Sequence, residues 1–377
     1  MCYDYLYIRN MYIYQKKDWP KWKWDESTVN AQLLKVVAKQ GHLLGRLSVL
    51  GFDSKEKAAL ETGVLDVLKN SEIEGEKLVE SQVRSSIAKN LGLNYDADEL
   101  LKVNDTEGAV NIFIDSTRNY NKPIDSERLF DWHAALFPTG RSAGRKIEVA
   151  NWRTSKEPMQ IVSGAMGKEQ VHYEAPASKE VAKMMKELIV YLNKRTAEHP
   201  FIKAAIAHLW FEVIHPFEDG NGRIGRALVD KILCEADASD LRFYSFSNAV
   251  LNNRKAYYNE LNKASKGDLN ISTWIVWFLD ILCKSVEHSE SIIHSADYKR
   301  RFWQRFSEEL LNERQLKVIK KLLDGFDGNI TSSKWTRMCK CTKMTATRDI
   351  NGLMEKDILI KNEWGGRSTS YGLNDSF

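Results

Sequence analysis

Long hydrophobic runs are absent from this sequence of 377 residues. None reaches the ~18 residues that a membrane-spanning helix needs. The aromatic opening segment, MCYDYLYIRNMYIYQKKDW, lacks the uniform apolar centre of a signal peptide. Met11 is a second candidate start, which would make the residues before it an extension of the reading frame. We therefore expect a soluble, cytoplasmic protein without a membrane partner.

Net charge and cysteine content are both low. The formal net charge of +4 is too small by itself to indicate nucleic-acid binding, and the charged residues, 28% of the chain, are mixed in sign. The five cysteines are scattered and odd in number, which suits a reducing compartment. Cys339 and Cys341 lack the second pair that would complete a zinc site, so we interpret them as buried or half-buried thiols.

Proline and glycine are sparse before about Gly140, and helical periodicity dominates that part of the chain. Two helices are predicted there, with apolar stripes formed by Leu33, Val37, Leu44 and Leu47 in the first and by Leu60, Val64, Val67 and Leu68 in the second. Between about Thr139 and Pro176 the composition shifts to glycine, β-branched and aromatic residues, which predicts a loop with a short hairpin. Helices return from Ser178 to roughly Leu311.

The end of the chain is predicted to form a separate unit. Residues 312–326 have the pattern of an amphipathic helix, and residues 331–359 that of two helices joined by a turn. Two short strands around a Gly-Gly pair follow. Three helices followed by a hairpin is the order of a winged-helix domain. The predicted fold class is therefore mainly α, with a short β-hairpin and a C-terminal winged-helix domain.

One segment, HPFEDGNGRIGR from His215 to Arg226, fits two different functions. Gly220, Gly222 and Gly225 form G-x-G-x-x-G, the dinucleotide-binding fingerprint, which requires a strand before the glycines and a helix after them. The residues on both sides instead have apolar side chains at helical spacing. The glycines are therefore predicted to lie in a loop between two helices, which disfavours a nicotinamide-dependent enzyme.

The other residues of this segment suit a phosphate-containing ligand. Asp219 is a hard oxygen ligand for Mg²⁺, which often binds proteins through one carboxylate plus substrate phosphates. Gly220–Gly222 let backbone N–H groups approach an anion at the positive end of the following helix. Arg223 and Arg226 share one helical face and match phosphate geometry. A lone histidine before proline is most simply a capping or core residue, but beside these neighbours His215 is a candidate general base.

These residues resemble the signature H-x-F-x-D/E-G-N-G-R-x-x-R of the Fic family of protein adenylyltransferases, and every fixed position is filled. The resemblance implies transfer of AMP from ATP to a Ser, Thr or Tyr hydroxyl of a target protein, or of the chain itself, with Mg²⁺ as cofactor and pyrophosphate as product. It implies that His215 is the general base, that Asp219 binds Mg²⁺ and that Arg226 binds the γ-phosphate. The remaining nucleotide-binding residues of the motif are Gly220, Asn221, Gly222, Arg223, Ile224 and Gly225.

The resemblance also implies two elements outside the motif. A flap hairpin that aligns the target's main chain by β-augmentation is assigned to Ile161–Tyr173, with SGAMG at its tip. An ordinary hairpin is the alternative for the same residues. On a helix after the motif, Tyr258 is the first candidate for contacting the nucleobase and Tyr257 the second. Ser265 stands where some relatives have an asparagine, which leaves that adenine contact unassigned.

The acidic segment NSEIEGEK around Glu74 has two interpretations. It fits a solvated helix face, and it also resembles the inhibitory pattern S/T-x-x-x-E-G/N of many Fic proteins. In that pattern the glutamate pairs with the second arginine of the signature, here Arg226, and displaces the γ-phosphate. Asn70 stands where the pattern has Ser or Thr, so the match is partial. In some relatives the same glutamate supports removal of AMP, which stays open as a reverse activity.

The resemblance divides the chain into three parts: an N-terminal helical extension with the inhibitory helix at 1–100, a Fic core at 101–290, and a helical linker with a winged-helix domain at 291–377. Apolar helical surfaces and family habit suggest a homodimer. The predicted helix–turn–helix is basic, which is the footprint expected for DNA, although protein docking is the alternative. Its basic residues are Lys334, Arg337, Lys340, Lys343 and Arg348.

Two competing functions follow. One is a DNA-binding regulator that uses the Fic core as a nucleotide sensor. The other is transfer of phosphate or phosphocholine, which is disfavoured because relatives with those activities usually depart from the signature and this chain does not.

Overall fold

The computed structural model describes residues 11–49, 52–93, 105–163, 170–306, 310–323, 326, 329–362 and 369–374. The predicted flap tip beyond Ser163, the Gly-Gly pair of the last hairpin and the residues before Met11 lie outside these ranges. The chain is mainly helical, as predicted, and divides into two compact units, Met1–Ser289 and Glu290–Phe377. Within the described ranges no helix is both long and apolar enough to cross a membrane.

The helices are α1 (Glu26–Ser48), α2 (Phe52–Ile73), α3 (Glu80–Leu91), α4 (Asp105–Arg118), α5 (Ser126–Leu136), α6 (Ser178–Asn193), α7 (Pro200–Ile214), α8 (Asn221–Asp237), α9 (Phe246–Asn252), α10 (Arg254–Lys266), α11 (Ser272–Arg305), α12 (Glu313–Leu323), α13 (Ser332–Cys339) and α14 (Lys343–Glu355). The strands pair antiparallel as β1 (Arg141–Ser142) with β2 (Arg145–Lys146), β3 (Gln160–Ser163) with β4 (Gln170–Glu174), and β5 (Leu359–Lys361) with β6 (Tyr371–Leu373).

The buried face of α1 differs from the predicted stripe. Its buried residues are Val29, Val36, Gln40, Leu43 and Leu47. Three residues predicted on the core face, Leu33, Val37 and Leu44, lie half-buried at the edge of that stripe, so this prediction is wrong by about one position. Adjacent apolar positions on a helix compete for the same face, and the packing partners, which the sequence does not reveal, decide between them.

The second helix is fixed firmly to the rest of the first unit. The apolar residues Leu60, Val64 and Val67 pack with residues of α3 and α4. On another side of α2, the buried carboxylate of Asp66 accepts hydrogen bonds from the hydroxyl and backbone groups of Ser245 and Ser247. These contacts hold the C-terminal end of α2 in one place, which matters because residues 70–76 reach the loop between α7 and α8.

The centre of the first unit is the pair α7 and α8. Pro200 begins α7, where its fixed φ and missing N–H are suited to the first turn. Almost every residue from Phe201 to Ile214 is buried. Gly220, with φ of +81°, precedes α8 as its N-cap. The segment before the glycines is thus a helix, which excludes the strand that the dinucleotide fingerprint needs.

The second unit has its own hydrophobic core. Trp335 of α13 and Ile350 and Leu353 of α14 are fully buried in it, together with Ile319 of α12. Ile330 pairs with Tyr371 of β6 and extends the small sheet by one residue. The observed order is three helices followed by an antiparallel hairpin.

Candidate active site

The loop between α7 and α8 holds His215 in a left-handed backbone conformation. Its φ is +50°, and its N–H donates to the carbonyl oxygen of Phe211 at 2.9 Å, while Pro216 stops the helix. Arg153, only 3% exposed, fixes the turn from outside. Its Nε donates to the carbonyl oxygen of His215 at 2.8 Å and its backbone N–H to that of Pro216 at 2.9 Å. The imidazole therefore projects from a rigid position.

The surroundings keep the His215 side chain neutral. Burial and, after it, the positive charge of Arg153 lower the pKa of the imidazole to about 4, while the carboxylates of Glu74 and Asp219 act in the opposite direction. At neutral pH the ring is therefore unprotonated. An unprotonated imidazole beside a ligand pocket is able to accept a proton, as a general base must.

Phe217 and Asn221 hold the loop closed. Phe217 is fully buried and stacks on His133, with ring centroids 4.2 Å apart. The Oδ1 atom of Asn221 accepts from the backbone N–H of Phe217 at 2.9 Å, and Nδ2 donates to the carbonyl oxygen of Phe217 at 2.8 Å. The Asn221 side chain is thus committed to the loop. The amide therefore shapes the loop, and the assignment of Asn221 as a nucleotide-binding residue stays a prediction.

Asp219 is held with its carboxylate at the mouth of the loop. One carboxylate oxygen accepts from the backbone N–H of Gly220 at 2.6 Å and the other from the hydroxyl of Ser142. The carbonyl oxygen of Asp219 lies 3.1 Å from Nε2 of His133. Because Nδ1 of His133 accepts from the N–H of Ala150 at 3.2 Å, Nε2 carries the proton and donates. Burial lowers the pKa of His133 to about 4, so the His133 ring is neutral at neutral pH.

The donor set around Asp219 fits a magnesium ion bound mainly by its ligand. Among the described residues no group of three or more His, Cys, Asp or Glu side chains is arranged to hold a metal by itself. Residues Gly220–Gly222 are called the anion loop below. A single carboxylate beside such a loop is the arrangement in which Mg²⁺ takes its other oxygens from phosphates and water. Asp219 would hold such an ion.

Three oxygen atoms at the end of α2 and just after it surround Arg226, and together they are called the cradle. Its Nη2 donates to Oε1 of Glu74 at 2.7 Å and to the carbonyl oxygen of Asn70 at 3.1 Å, and its Nε donates to Oδ1 of Asn70 at 2.6 Å. Arg226 is 1% exposed, so its end of these charge-assisted bonds is shielded from water, while the Glu74 side chain is 31% exposed. Asn70, the residue that departed from the sequence pattern, therefore belongs to the cradle.

Gly222 brings the anion loop against the same carboxylate. A Cβ atom at this position would collide with Oε1 of Glu74 and would lie 3.0 Å from Nη1 of Arg226. The backbone N–H groups of the first turn of α8 have no partner within the helix and point toward this place. The Glu74 carboxylate thus lies between Gly222 and the guanidinium of Arg226.

The first arginine of the motif also has a carboxylate partner, which the sequence did not predict. Nη1 of Arg223 donates to Oε2 of Glu76 at 2.6 Å, and the guanidinium packs over the ring of Phe137 with its Cζ 5.0 Å from the centroid. Glu76 follows Gly75, whose φ of +86° reverses the chain after α2. The only sequence signal was the alternation E-G-E after the helix.

A cavity of about 750 Å³ opens beside these residues. Its lining includes Glu74, Ile161, His215, Gly222, Tyr258 and Asn262. Ile224, Gly225 and Arg226 lie behind this wall in α8, where they are buried. The structure therefore brings together the motif, strand β3 and the helix α10.

The two candidate nucleobase residues differ in exposure. Tyr257 is 1% exposed, and its hydroxyl lies 2.8 Å from Nε2 of His208, so it forms part of the cavity's rigid wall. Tyr258 is 41% exposed and lines the cavity, with Cζ of Arg254 5.7 Å from the centroid of its ring. The hydroxyl of Ser265 is occupied, since it donates to the carbonyl oxygen of Asn262 at 3.0 Å.

A hairpin borders the cavity where the flap was predicted. Strands β3 and β4 pair Gln160 with Glu174 and Ile161 with Tyr173, followed by a bulge. Tyr173 anchors the hairpin, because its hydroxyl donates to the carbonyl oxygen of Val213 at 2.6 Å, two residues before His215. Ile161 is exposed to 40%.

Parts of the chain are similar to known proteins. Residues 12–93 match the model of a domain of unknown function, DUF4172, and residues 123–233 match the model of the Fic/DOC family. A probable protein adenylyltransferase of Aquifex aeolicus is 34% identical over 87 residues, which are 23% of this chain and 25% of that protein. The protein adenylyltransferase Fic of Nematostella vectensis is 35% identical over 98 residues, 25% of this chain and 21% of its own length.

The chain thus spans about a quarter or less of these curated relatives. A solved Fic family protein from Desulfovibrio desulfuricans G20 superposes with a TM-score of 0.53 at 19% identity, over 92% of this chain and 97% of that one. At this identity the likeness concerns the fold. Taken together, the chain has the fold of a solved Fic family protein, and its residues 123–233, which contain the loop from His215 to Arg226, are similar to the Fic/DOC family.

Proposed function

We propose that this protein transfers AMP from ATP to a hydroxyl side chain of a target protein. The observation that carries the proposal is the cavity in which a neutral His215, the Asp219 carboxylate, the anion loop and the end of α2 meet. The relatives named protein adenylyltransferase support it for the matching segment. The test is label from the α-phosphate of ATP on protein, dependent on His215.

The geometry suggests a role for each group. The imidazole of His215 accepts the proton of the target hydroxyl, and the hydroxyl oxygen forms a bond to the α-phosphorus while the bond to the pyrophosphate leaving group breaks. Arg223 and Arg226 and the N–H groups of Gly220–Gly222 balance the charge of the phosphates. A Mg²⁺ ion on Asp219 would neutralise phosphate charge when bound. The products are an AMP-modified protein and pyrophosphate.

The hairpin and α10 suit the two remaining tasks. The β3 strand offers an exposed residue, Ile161, at the border of the cavity, where an extended target segment would add by main-chain pairing. Tyr258 presents an aromatic face on the opposite helix for stacking with adenine. Ser, Thr and Tyr all carry a hydroxyl that meets the chemical requirement.

We further propose that Glu74 restrains the enzyme. Its Oε1 accepts from Nη2 of Arg226 at 2.7 Å and lies against Gly222. The carboxylate therefore competes with a phosphate for the same donors. The γ-phosphate of ATP then lacks its partner. Glu74 also lines the cavity that contains His215, which suits the reverse reaction, removal of AMP by a positioned water.

The pH dependence of the released enzyme is a direct consequence of the lowered pKa of His215. A lowered pKa keeps the imidazole unprotonated at lower pH. The kcat/KM for ATP of the Glu74→Gly variant should therefore stay level down to about pH 5. It should then fall with a midpoint near 4, not near the ordinary 6.5. Loss of Glu74 removes a charge that raises this pKa, so the midpoint should not move up. Initial rates at saturating Mg²⁺, with circular dichroism at each pH to verify folding, check this; a midpoint near 6.5 contradicts it.

A second candidate function, DNA binding, concerns the C-terminal unit. Residues 290–377 contain 16 lysines and arginines against 12 aspartates and glutamates, whereas the remainder of the chain contains 39 of each, so the net charge of +4 belongs entirely to this unit. The one acid in the first half of α14, Asp349, is 3% exposed and accepts from Nε of Arg314 at 2.7 Å, which cancels its charge. Lys343, Thr347 and Arg348 remain exposed on the outer face of the helix.

The exposed face of α14 suits the major groove of duplex DNA, since the groove admits a helix and basic side chains contact phosphates and guanine. Changing both Lys343 and Arg348 to alanine should weaken binding of a fluorescent duplex about 10-fold at low salt and reduce the salt dependence. The matched control is Lys317→Ala with Lys321→Ala on α12, which removes the same charge. Equal losses in both double variants, or no binding of duplex by the parent, reject the proposal in favour of protein docking.

A further inference from the structure

The ion pair between Arg223 and Glu76 has a geometry that an incidental surface contact lacks. The Arg223 side chain is 6% exposed, and the Phe137 ring lies under its guanidinium, so the arginine has little freedom to move. An exposed ion pair contributes ~0–1 kcal/mol, but bonds to a donor held out of water are stronger. Glu76, at 42% exposure, is the more exposed partner of the two.

The two carboxylates come from one tight turn. The N–H groups of Glu74 and Glu76 both donate to the carbonyl oxygen of Ser71 at 3.1 Å, and Gly75 between them has a positive φ. Arg223 and Arg226, three residues apart, lie on one face of α8. The turn therefore presents two negative groups to two positive ones in register, Glu76 to Arg223 and Glu74 to Arg226.

Two anionic groups against two arginines at a helix N-terminus imitate two successive phosphates. We infer that Glu76 is an affinity-determining residue of the nucleotide site: it occupies the donor of Arg223 that the diphosphate part of a nucleotide needs, while Glu74 occupies the donor for the terminal phosphate. The inference rests on the proposed function in that the ligand is a nucleoside polyphosphate. Removal of Glu74 alone then leaves the first arginine occupied.

The inference separates nucleotides by their number of phosphates. Glu76→Gln should tighten the binding of ATP and of ADP alike, because both carry the phosphate that Arg223 would bind. Glu74→Gly should tighten the binding of ATP more than that of ADP. Neither change should alter the binding of AMP. The size expected for one charge-assisted contact regained is about 10-fold in Kd, the equivalent of ~1.4 kcal/mol.

The experiment is calorimetric titration of the full chain with ATP, ADP and AMP in the presence of Mg²⁺. All variants carry His215→Ala, so that no turnover disturbs the titration. Glu72→Gln is the matched control, because it removes the same charge from the same end of α2, where Glu72 is exposed and pairs with Lys69. Thermal unfolding of each variant verifies that it folds.

The outcomes distinguish this inference from the proposed function. Tighter ADP binding by Glu76→Gln but not by Glu72→Gln supports it, even if the parent enzyme transfers no AMP. An ADP Kd that stays within two-fold of the parent, or that shifts equally in both variants, overturns it and leaves the proposed function standing. Tighter binding of ATP alone would assign Glu76 to the terminal phosphate and overturns it as well.

Discussion

Replacing Glu74 with glycine is expected to raise the rate of AMP transfer on the order of 100-fold, the upper part of the usual range for coupling between a site and its regulator. The physical reason is the buried Arg226. Its Nη2 is bound to Glu74 at 2.7 Å, and a γ-phosphate can take this donor only when the carboxylate leaves. Initial rates of AMP incorporation into protein, compared at equal enzyme concentration, measure the effect.

The control for this prediction is Glu72→Gly, two residues earlier, in the last turn of α2, whereas Glu74 follows the helix. It places a glycine inside the helix, and Glu72 pairs with Lys69 on the surface instead of with the motif. A general loosening of α2 would activate both variants equally. Equal activity of the parent and Glu74→Gly, with both bound to ATP, would show that the Glu74–Arg226 contact does not restrain the enzyme.

Replacing His215 in the released enzyme is expected to have the opposite effect. His215→Ala in the Glu74→Gly background should lower kcat about 10³-fold, the contribution typical of a positioned general base. The imidazole is neutral at physiological pH because burial and Arg153 lower its pKa to about 4, so no other protonation change is needed before it accepts the hydroxyl proton. The binding of ATP should change little, because the phosphates contact the loop and the arginines.

The left-handed backbone conformation of His215 makes a second variant necessary as a check on stability. At a φ of +50° alanine costs about 1–2 kcal/mol, whereas asparagine tolerates this conformation. His215→Asn should therefore retain the parent's stability and still lose the activity. His42→Ala, a change on the exposed side of α1, is the control. Full activity of His215→Asn with normal ATP binding would contradict the assignment of His215 as the base.

The contiguous part of the site was predictable from sequence because the chain itself brings its residues together. His215, Asp219 and the glycines fall within one loop and one helical turn, so spacing alone determines that they are neighbours. The mainly helical class and the helix before the glycines followed from apolar periodicity. Asn221 was the exception within the loop, because its amide bonds to the backbone of Phe217, a detail that spacing does not determine.

The contacts between distant segments could not be derived in this way. Glu74 lies 152 residues before Arg226 in the chain, and only the likeness to an inhibitory pattern suggested the pair. Asn70 looked like a defect in that pattern, yet its side chain and carbonyl oxygen both bind Arg226. Arg153 gave no sequence signal, because a buried arginine that binds backbone carbonyls depends on the tertiary structure alone. Homodimerisation stays a prediction.

The most direct test of the account follows the α-phosphate of ATP. The Glu74→Gly variant is incubated with Mg²⁺, a cell lysate as a source of target proteins, and ATP labelled on either the α- or the γ-phosphate. AMP transfer predicts protein bands that depend on His215 and carry label from the α-phosphate but not from the γ-phosphate; these bands are absent when His215→Ala is added. Label from the γ-phosphate that depends on His215 would indicate phosphate transfer, and the absence of any His215-dependent label despite ATP binding would favour a nucleotide sensor; either result contradicts AMP transfer.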